Sequence, residues 1–312
     1  MNPSIVVVGS LNMDFVVVTD HLPAPGETVL GKNFQMIPGG KGANQACAAG
    51  RLGGKASCVR MIGRVGYDVF GDHLKASLSA AGVDVGAVHA TRAEPTGVAL
   101  IWVDRAGQNS IVVASGANAE LAAADVEAMR PVFQGASYAL FQLESPIETV
   151  TAAVAMARAM GAVTMLDPAP AQPLSKQLLS GVDILTPNES EASILLGRRP
   201  APISVADAPE IARQLLNLGV KTVVLKLGGD GAYFYDGVKA FHCASSPVAV
   251  RDTTAAGDIF NAGLAVALSE GLAPEPAMAF ASAAAAISVT RLGAQASVPT
   301  RAEVDLFLRD KT

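Results

Sequence analysis

The run Asp252-Thr253-Thr254-Ala255-Ala256-Gly257-Asp258 leads into Ile259-Phe260-Asn261-Ala262-Gly263-Leu264, a stretch with the composition of a helix. Small residues at a helix start leave its first backbone N–H groups unobstructed, and with the helix dipole these make an anion site. A transferring phosphoryl group suits such a site. A first-turn carboxylate stays ionised there and can accept a proton late in a loose phosphoryl transfer, which makes Asp258 a candidate general base. Taken alone, an acidic first-turn residue is more often a simple helix stabiliser.

Other residues capable of chemistry surround this run in sequence. Asn12 and Asp14 follow a first apolar strand, and an extended backbone points both to one face, where amide and carboxylate can bind neighbouring hydroxyls. The competing reading is a turn that satisfies its own backbone. Pro38-Gly39-Gly40-Lys41-Gly42-Ala43-Asn44-Gln45-Ala46 allows a ligand close to the backbone, with Lys41 and Asn44 as donors, or else is a glycine turn capping a helix. Gln142-Leu143-Glu144, Asp167-Pro168-Ala169-Pro170 and Thr186-Pro187-Asn188-Glu189-Ser190-Glu191 each end a strand. Asn188 and Glu191, three apart at a helix opening, can hold the water shell of Mg²⁺, with helix capping as the alternative for Asn188. Leu225-Lys226-Leu227-Gly228-Gly229-Asp230-Gly231 lets backbone run along a nucleotide.

The elements that must position these groups read as alternating strands and helices. Strands are expected over Ser4–Val8, Tyr138–Leu143, Val163–Leu166, Ile184–Leu185 and Thr222–Lys226, and helices over Ile147–Met160 and Ala206–Leu218. Such alternation implies a single α/β domain over residues 1–312 with a mostly parallel sheet. Two regions, 15–38 and 96–114, read as strand pairs without helices, the second turning at Asp104-Arg105-Ala106-Gly107. They are expected to form a small antiparallel lid at the carboxyl ends of the core strands, where open α/β sheets bind ligands.

Composition narrows the function classes. Charged residues are 16% of the chain and the net charge is −5, which provides no basic footprint for nucleic acid. The N-terminus lacks the pattern of a signal peptide, and the apolar stretch from Ala279 to Val289 is too short for a bilayer, so no membrane role is expected. Cys47, Cys58 and Cys243 are odd in number and widely spaced, which fits a reducing cytoplasm better than a disulfide framework or zinc site. Gln35 stands where a Walker-type phosphate loop needs its first glycine before Gly40-Lys41, and Gly42 follows them. No Gly-x-Gly-x-x-Gly follows the first strand, which weakens a nicotinamide-dependent oxidoreductase.

Taken in order, these residues resemble the ribokinase-like carbohydrate kinases, the PfkB family, nearly end to end. The resemblance rests on Gly9 to Asp14, Pro25-Gly26-Glu27-Thr28, Gly39 to Ala46, Gln142 to Pro146, Asp167 to Pro170, Thr186 to Glu189 and Asp252 to Asn261. It implies a three-layer α/β/α core with a β-sheet lid, and ATP-dependent phosphorylation of D-ribose at O5. Alternatives on the same fold are phosphorylation of another small sugar, such as deoxyribose or fructose, and a catalytically silent sugar-binding regulator. By this resemblance Asn12, Asp14, Gly40, Lys41, Asn44 and Glu144 contact the sugar, Asp258 is the base, and Ala255, Ala256 and Gly257 form the anion hole. ATP lies over Asn188 and the segment Lys226, Leu227, Gly228, Gly229, Asp230 and Gly231, beside Gly257, with adenine near Ser282. Glu191 serves Mg²⁺ through water. A potassium ion is implied beside Asp252, Thr254, Ser288, Arg291, Gly293 and Ser297, and a homodimer through the lid. Met13 stands where a smaller residue is frequent and is expected to border the sugar pocket.

Overall fold

An apolar run, Ile5 to Val8, is buried on both faces, the pattern of a strand inside a parallel sheet. The computed structural model describes residues 4–54, 57–105 and 108–310. Its strands are β1 (Ser4–Val8), β2 (Asn12–Val18), β3 (Lys32–Gly39), β4 (Cys58–Gly66), β5 (Val83–Thr91), β6 (Gly97–Val103), β7 (Asn109–Ala114), β8 (Tyr138–Phe141), β9 (Val163–Leu166), β10 (Ile184–Leu185), β11 (Thr222–Lys226), β12 (Ala232–Tyr235) and β13 (Ala240–Cys243). The helices are α1 (Lys41–Gly53), α2 (Val69–Ala80), α3 (Ala123–Ala128), α4 (Ile147–Ala159), α5 (Lys176–Leu179), α6 (Glu189–Leu195), α7 (Ala208–Leu216), α8 (Ala256–Ser269), α9 (Pro274–Ser288) and α10 (Arg301–Arg309).

Nine strands form the core sheet in the order β13-β12-β11-β10-β9-β8-β1-β4-β5. It is parallel from β5 to β11 and antiparallel at β12 and β13. Because side chains alternate, Ile5 and Val7 enter one core with α1, α8 and α9, while Val6 and Val8 enter the other with α4 and α7. Helices on both faces give the expected three layers. Helix α8 is buried from Asp258 to Ala267, and its small residues let neighbours come close. A Cβ placed on Gly263 would lie 3.1 Å from the Cα of Ala281 in α9.

The second sheet runs β3-β2-β6-β7 and occupies the two regions expected to form a lid. It is mixed rather than antiparallel, since β2 and β6 pair in parallel. Each belongs to an antiparallel pair, but both follow core strands that are themselves parallel, β1 and β5, and so arrive side by side in one direction. Met13 is fully buried in the core, on the opposite face of β2 from Asn12 and Asp14. It therefore backs the strand instead of lining the face that carries them. Strand β8 stops at Phe141, short of the expected Leu143, because the Leu143 N–H leaves the ladder to donate to the Ala169 carbonyl. Helix α7 is likewise shorter than expected at both ends. Ala106 and Gly107 of the expected lid turn lie outside the described residues.

The turn between β1 and β2 packs directly on the start of α1. A Cβ on Gly42 would sit 2.6 Å from the carbonyl carbon of Gly9 and 2.7 Å from the nitrogen of Ser10. Helix propensity alone favours alanine over glycine by about 1 kcal/mol inside a helix. Gly42→Ala is nonetheless expected to destabilise the fold by about 1–3 kcal/mol, because backbone must move. Chemical denaturation measures the sign; a more stable variant would show that the contact relaxes freely.

Candidate active site

The amino ends of α1 and α8 converge where β1, β8, β9 and β11 end, so two helix dipoles meet the carboxyl edge of the sheet. Ala255 caps α8 in the left-handed conformation, φ 60°, which turns the chain sharply into Ala256 and Gly257. Asp258 then falls in the first turn of α8, 6% exposed. Amide donors from α1 hold both its oxygens: Asn44 Nδ2 donates to Oδ2 at 3.1 Å and Gln45 Nε2 to Oδ1 at 3.0 Å. The α1 motif and the α8 run thus form one site.

On the lid side, β2 presents Asn12 and Asp14. Asn118, in the turn before α3, donates to Asn12 Oδ1 at 2.7 Å and fixes its amide. Gly39 leaves room for Asp14, since a Cβ there would lie 2.2 Å from Asp14 Oδ2. Gly40 adopts φ 89° and starts α1. The Lys41 N–H donates to Glu144 Oε2 at 3.0 Å, and Ser10 Oγ donates to the same oxygen at 2.6 Å. Among the described residues, the Asp14 side chain has no hydrogen-bond partner, which leaves its carboxylate available to hydroxyl donors.

Burial pushes the Asp258 carboxyl up to about 6, assisted by the nearby charge of Asp167 and opposed by Lys41, Gln45 and Asn44. Burial likewise pushes Asp14 to about 7, with Glu144 and Asp258 adding to the rise and Lys41 opposing it. For Lys41, burial acts downward, yet Asp258, Asp167, Glu144 and Glu191 outweigh it and hold the ammonium above its usual range. Lys41, with Lys226 paired to Asp167, thus offsets the charge of the carboxylates gathered here.

Beyond Asp258, a cavity of about 370 Å³ is lined by Lys226, Gly228, Gly229, Gly231, Gly257 and Ser282, among others. Leu227 turns into the core instead, and Asp230 is exposed, with its carbonyl 2.6 Å from His242 Nε2. Asn188 and Glu191 form a reciprocal capping box at α6: Glu191 N–H donates to Asn188 Oδ1, and Asn188 N–H to Glu191 Oε2. Each carboxylate oxygen retains a lone pair for a metal-bound water, so capping and Mg²⁺ service are compatible. Around the expected potassium position, Asp252 accepts from Thr254 N–H at 2.9 Å, Thr254 Oγ1 at 2.6 Å and Gly293 N–H at 2.8 Å. Ser288 and Ser297 donate to Ala285 and Ala294 carbonyls, and Arg291 pairs with Glu303 at 2.6 Å.

The model of the pfkB family carbohydrate kinases matches residues 2–301. The chain belongs to this family. It is 42% identical to the ribokinase of Haemophilus influenzae, over 99% of each chain. Among solved structures, the ribokinase of Thermotoga maritima superposes with a TM-score of 0.89 at 40% identity, over 98% of this chain and 99% of that one. Arabidopsis thaliana ribokinase, solved in complex with ribose and ATP, gives a TM-score of 0.89 at 35% identity over 99% of each chain. These carbohydrate kinases share the core and lid described above.

Within this member of the pfkB family, the fold gathers Asn12, Asp14, Gly40, Lys41, Asn44, Glu144 and Asp258 on one side of α8. Lys226, the Gly228–Gly231 turn and Ser282 lie on the other. Sequence reasoning missed Gln45 and Asn118 as working residues. Gln45 was visible only as a letter in the glycine motif; the sheet order brings the end of β9 beside it, and its Nε2 also donates to Asp167 Oδ2 at 3.2 Å. Nothing in the spacing of Asn118 marks it.

The raised Asp14 carboxyl carries a stability consequence with a definite sign. Its folded value, about 7, lies above the ordinary 3.8, so the ionised form is disfavoured in the folded state. Its destabilising effect is absent below the unfolded value and complete above the folded one. Asp14→Asn is therefore expected to melt higher than the parent at pH 8, with the gain gone by about pH 3. Calorimetry across that range measures the difference; a lower melting temperature at pH 8 would contradict the assigned burial cost.

Proposed function

We propose that this protein transfers the γ-phosphoryl group of ATP to O5 of D-ribose, giving D-ribose 5-phosphate and ADP. The observation that carries the reading is the position of Asp258. It stands buried in the first turn of α8, between a hydroxyl-binding face on β2 and α1 and a glycine-walled cavity on the far side. Full-length likeness to ribokinases, one of them complexed with ribose and ATP, supports ribose as acceptor.

In this reading, Asn12 and Asp14 grip the sugar hydroxyls, with Gly40, Lys41, Asn44 and Glu144 completing the pocket. Asp258 takes the proton of the attacking hydroxyl as its oxygen bonds to phosphorus and the bond to the ADP oxygen breaks. The N–H groups of Ala256 and Gly257, directed by the left-handed Ala255, stabilise the transferring group. Asn188 and Glu191 would hold the water shell of Mg²⁺, which neutralises phosphate charge when bound. Carbonyls near Asp252, Thr254, Ser288, Gly293 and Ser297 would hold potassium and steady the α8 turn. A homodimer through the lid explains its outer apolar residues: Phe34 and Val112 are 61% and 54% exposed, and β7 is exposed on both faces. The three cysteines are free, in keeping with a reducing cytoplasm.

Coupled ADP release across pentoses and hexoses tests this reading, with ribose expected fastest and potassium better than sodium. Asp258→Asn is expected to keep sugar and nucleotide binding while losing roughly 10²–10⁴-fold in turnover. Near-normal turnover in that variant, or faster release with another sugar, would overturn the corresponding assignment.

A further inference from the structure

Lys226 ends β11 with its backbone fixed: its N–H donates to the Pro187 carbonyl at 2.8 Å, and it bridges to Asn188. Its ammonium pairs with Asp167 Oδ1 at 3.0 Å, with side chains only 13% and 5% exposed. A buried ion pair of this kind contributes little net stability, and an apolar pair often does as well. Its location gives it another use. Lys226 lines the cavity wall, and a Cβ placed on Gly257 would lie 3.4 Å from Lys226 Nζ. The ammonium therefore stands beside the α8 turn whose N–H groups, in the proposed function, receive the phosphoryl group. Asp167 is itself held, since its other oxygen accepts from Gln45, the amide that also donates to Asp258.

We propose that Lys226 is the catalytic cation of the phosphoryl transfer, its ammonium donating to the transferring phosphoryl oxygens at the amino end of α8. Asp167 is the positioning residue that keeps it there. The proposal rests on the kinase reading of the site. Lysine suits the task because its compact charge swings on a flexible stem, so it can exchange Asp167 for a phosphate oxygen without backbone movement. The phosphoryl group in transit spreads its charge over three equatorial oxygens, and an ammonium aimed at that planar arrangement holds it more tightly than bound ATP, which is the condition for raising kcat. Gln45 joins the cation's partner to the base, since its Nε2 donates to both Asp167 and Asp258.

The test compares Lys226→Met, Lys226→Arg, Asp167→Asn and the double variant Lys226→Met/Asp167→Asn, which leaves no buried unpaired charge. Lys226→Met is expected to lower kcat on the order of 10²–10³-fold with sugar KM little changed, the loss typical of one removed transition-state donor. The double variant should show a loss of the same order, because Lys226 is the ion-pair partner of Asp167, and Lys226→Arg should recover part of it. By isothermal titration in the presence of sugar and Mg²⁺, Lys226→Met and the double variant should bind ADP nearly as the parent does. Both should lose most of the added affinity for ADP with aluminium fluoride, a mimic of the phosphoryl group in transit. A folded double variant with parental kcat and parental fluoroaluminate affinity would overturn the proposal and leave the kinase reading intact. Absence of phosphoryl transfer by the parent protein with any sugar would overturn both.

Discussion

The site depends on one electrostatic arrangement: a carboxylate buried at the amino end of α8 and kept usable by the lysine at the amino end of α1. Burial holds the Asp258 carboxyl above the range of an exposed aspartate, because the charged form loses solvation. Lys41 opposes that rise, and the carboxylates around it in turn keep Lys41 charged. Neither helix end provides this balance alone, so the packing of α1 against α8 is as much part of the chemistry as Asp258 itself.

That packing explains the unusual composition of both helices. Ala and Gly residues dominate α1 and α8 because two helices must approach each other, the sheet and α9 closely enough to bring Asn44 and Gln45 within hydrogen-bond reach of Asp258. Larger apolar side chains would bury more surface but hold the helix ends apart. The polar cluster beside them opposes stability, most clearly at Asp14, whose half-buried carboxyl has no hydrogen-bonding partner among the described residues.

Much of this was legible in the sequence. The parallel core followed from apolar runs such as Ile5 to Val8 alternating with Ala/Leu helices, and the ligand edge followed from polar clusters at strand ends. Asp258, Asn12, Asp14 and Lys41 stood in motifs whose residue types carry their own chemistry. The pairing direction of β2 and β6 was not legible, because it depends on which core strands precede them rather than on their own residues. Gln45 and Asn118 escaped for a related reason: an amide acquires a role only from its partners, here Asp258 and Asp167 for Gln45, and Asn12 for Asn118. Helix α6 shows the capping reading of Asn188 directly, since Asn188 and Glu191 cap it reciprocally.

The most direct test of the balance between Lys41 and Asp258 is the pH profile of kcat/KM, which reports the free enzyme's essential groups. The account requires an acid limb near 6 that belongs to Asp258. Because Lys41 opposes the rise, replacing it with methionine should move that limb upward in whatever activity remains. An acid limb near the ordinary 3.8, or one that stays in place without Lys41, would contradict the claim that this pair sets the base.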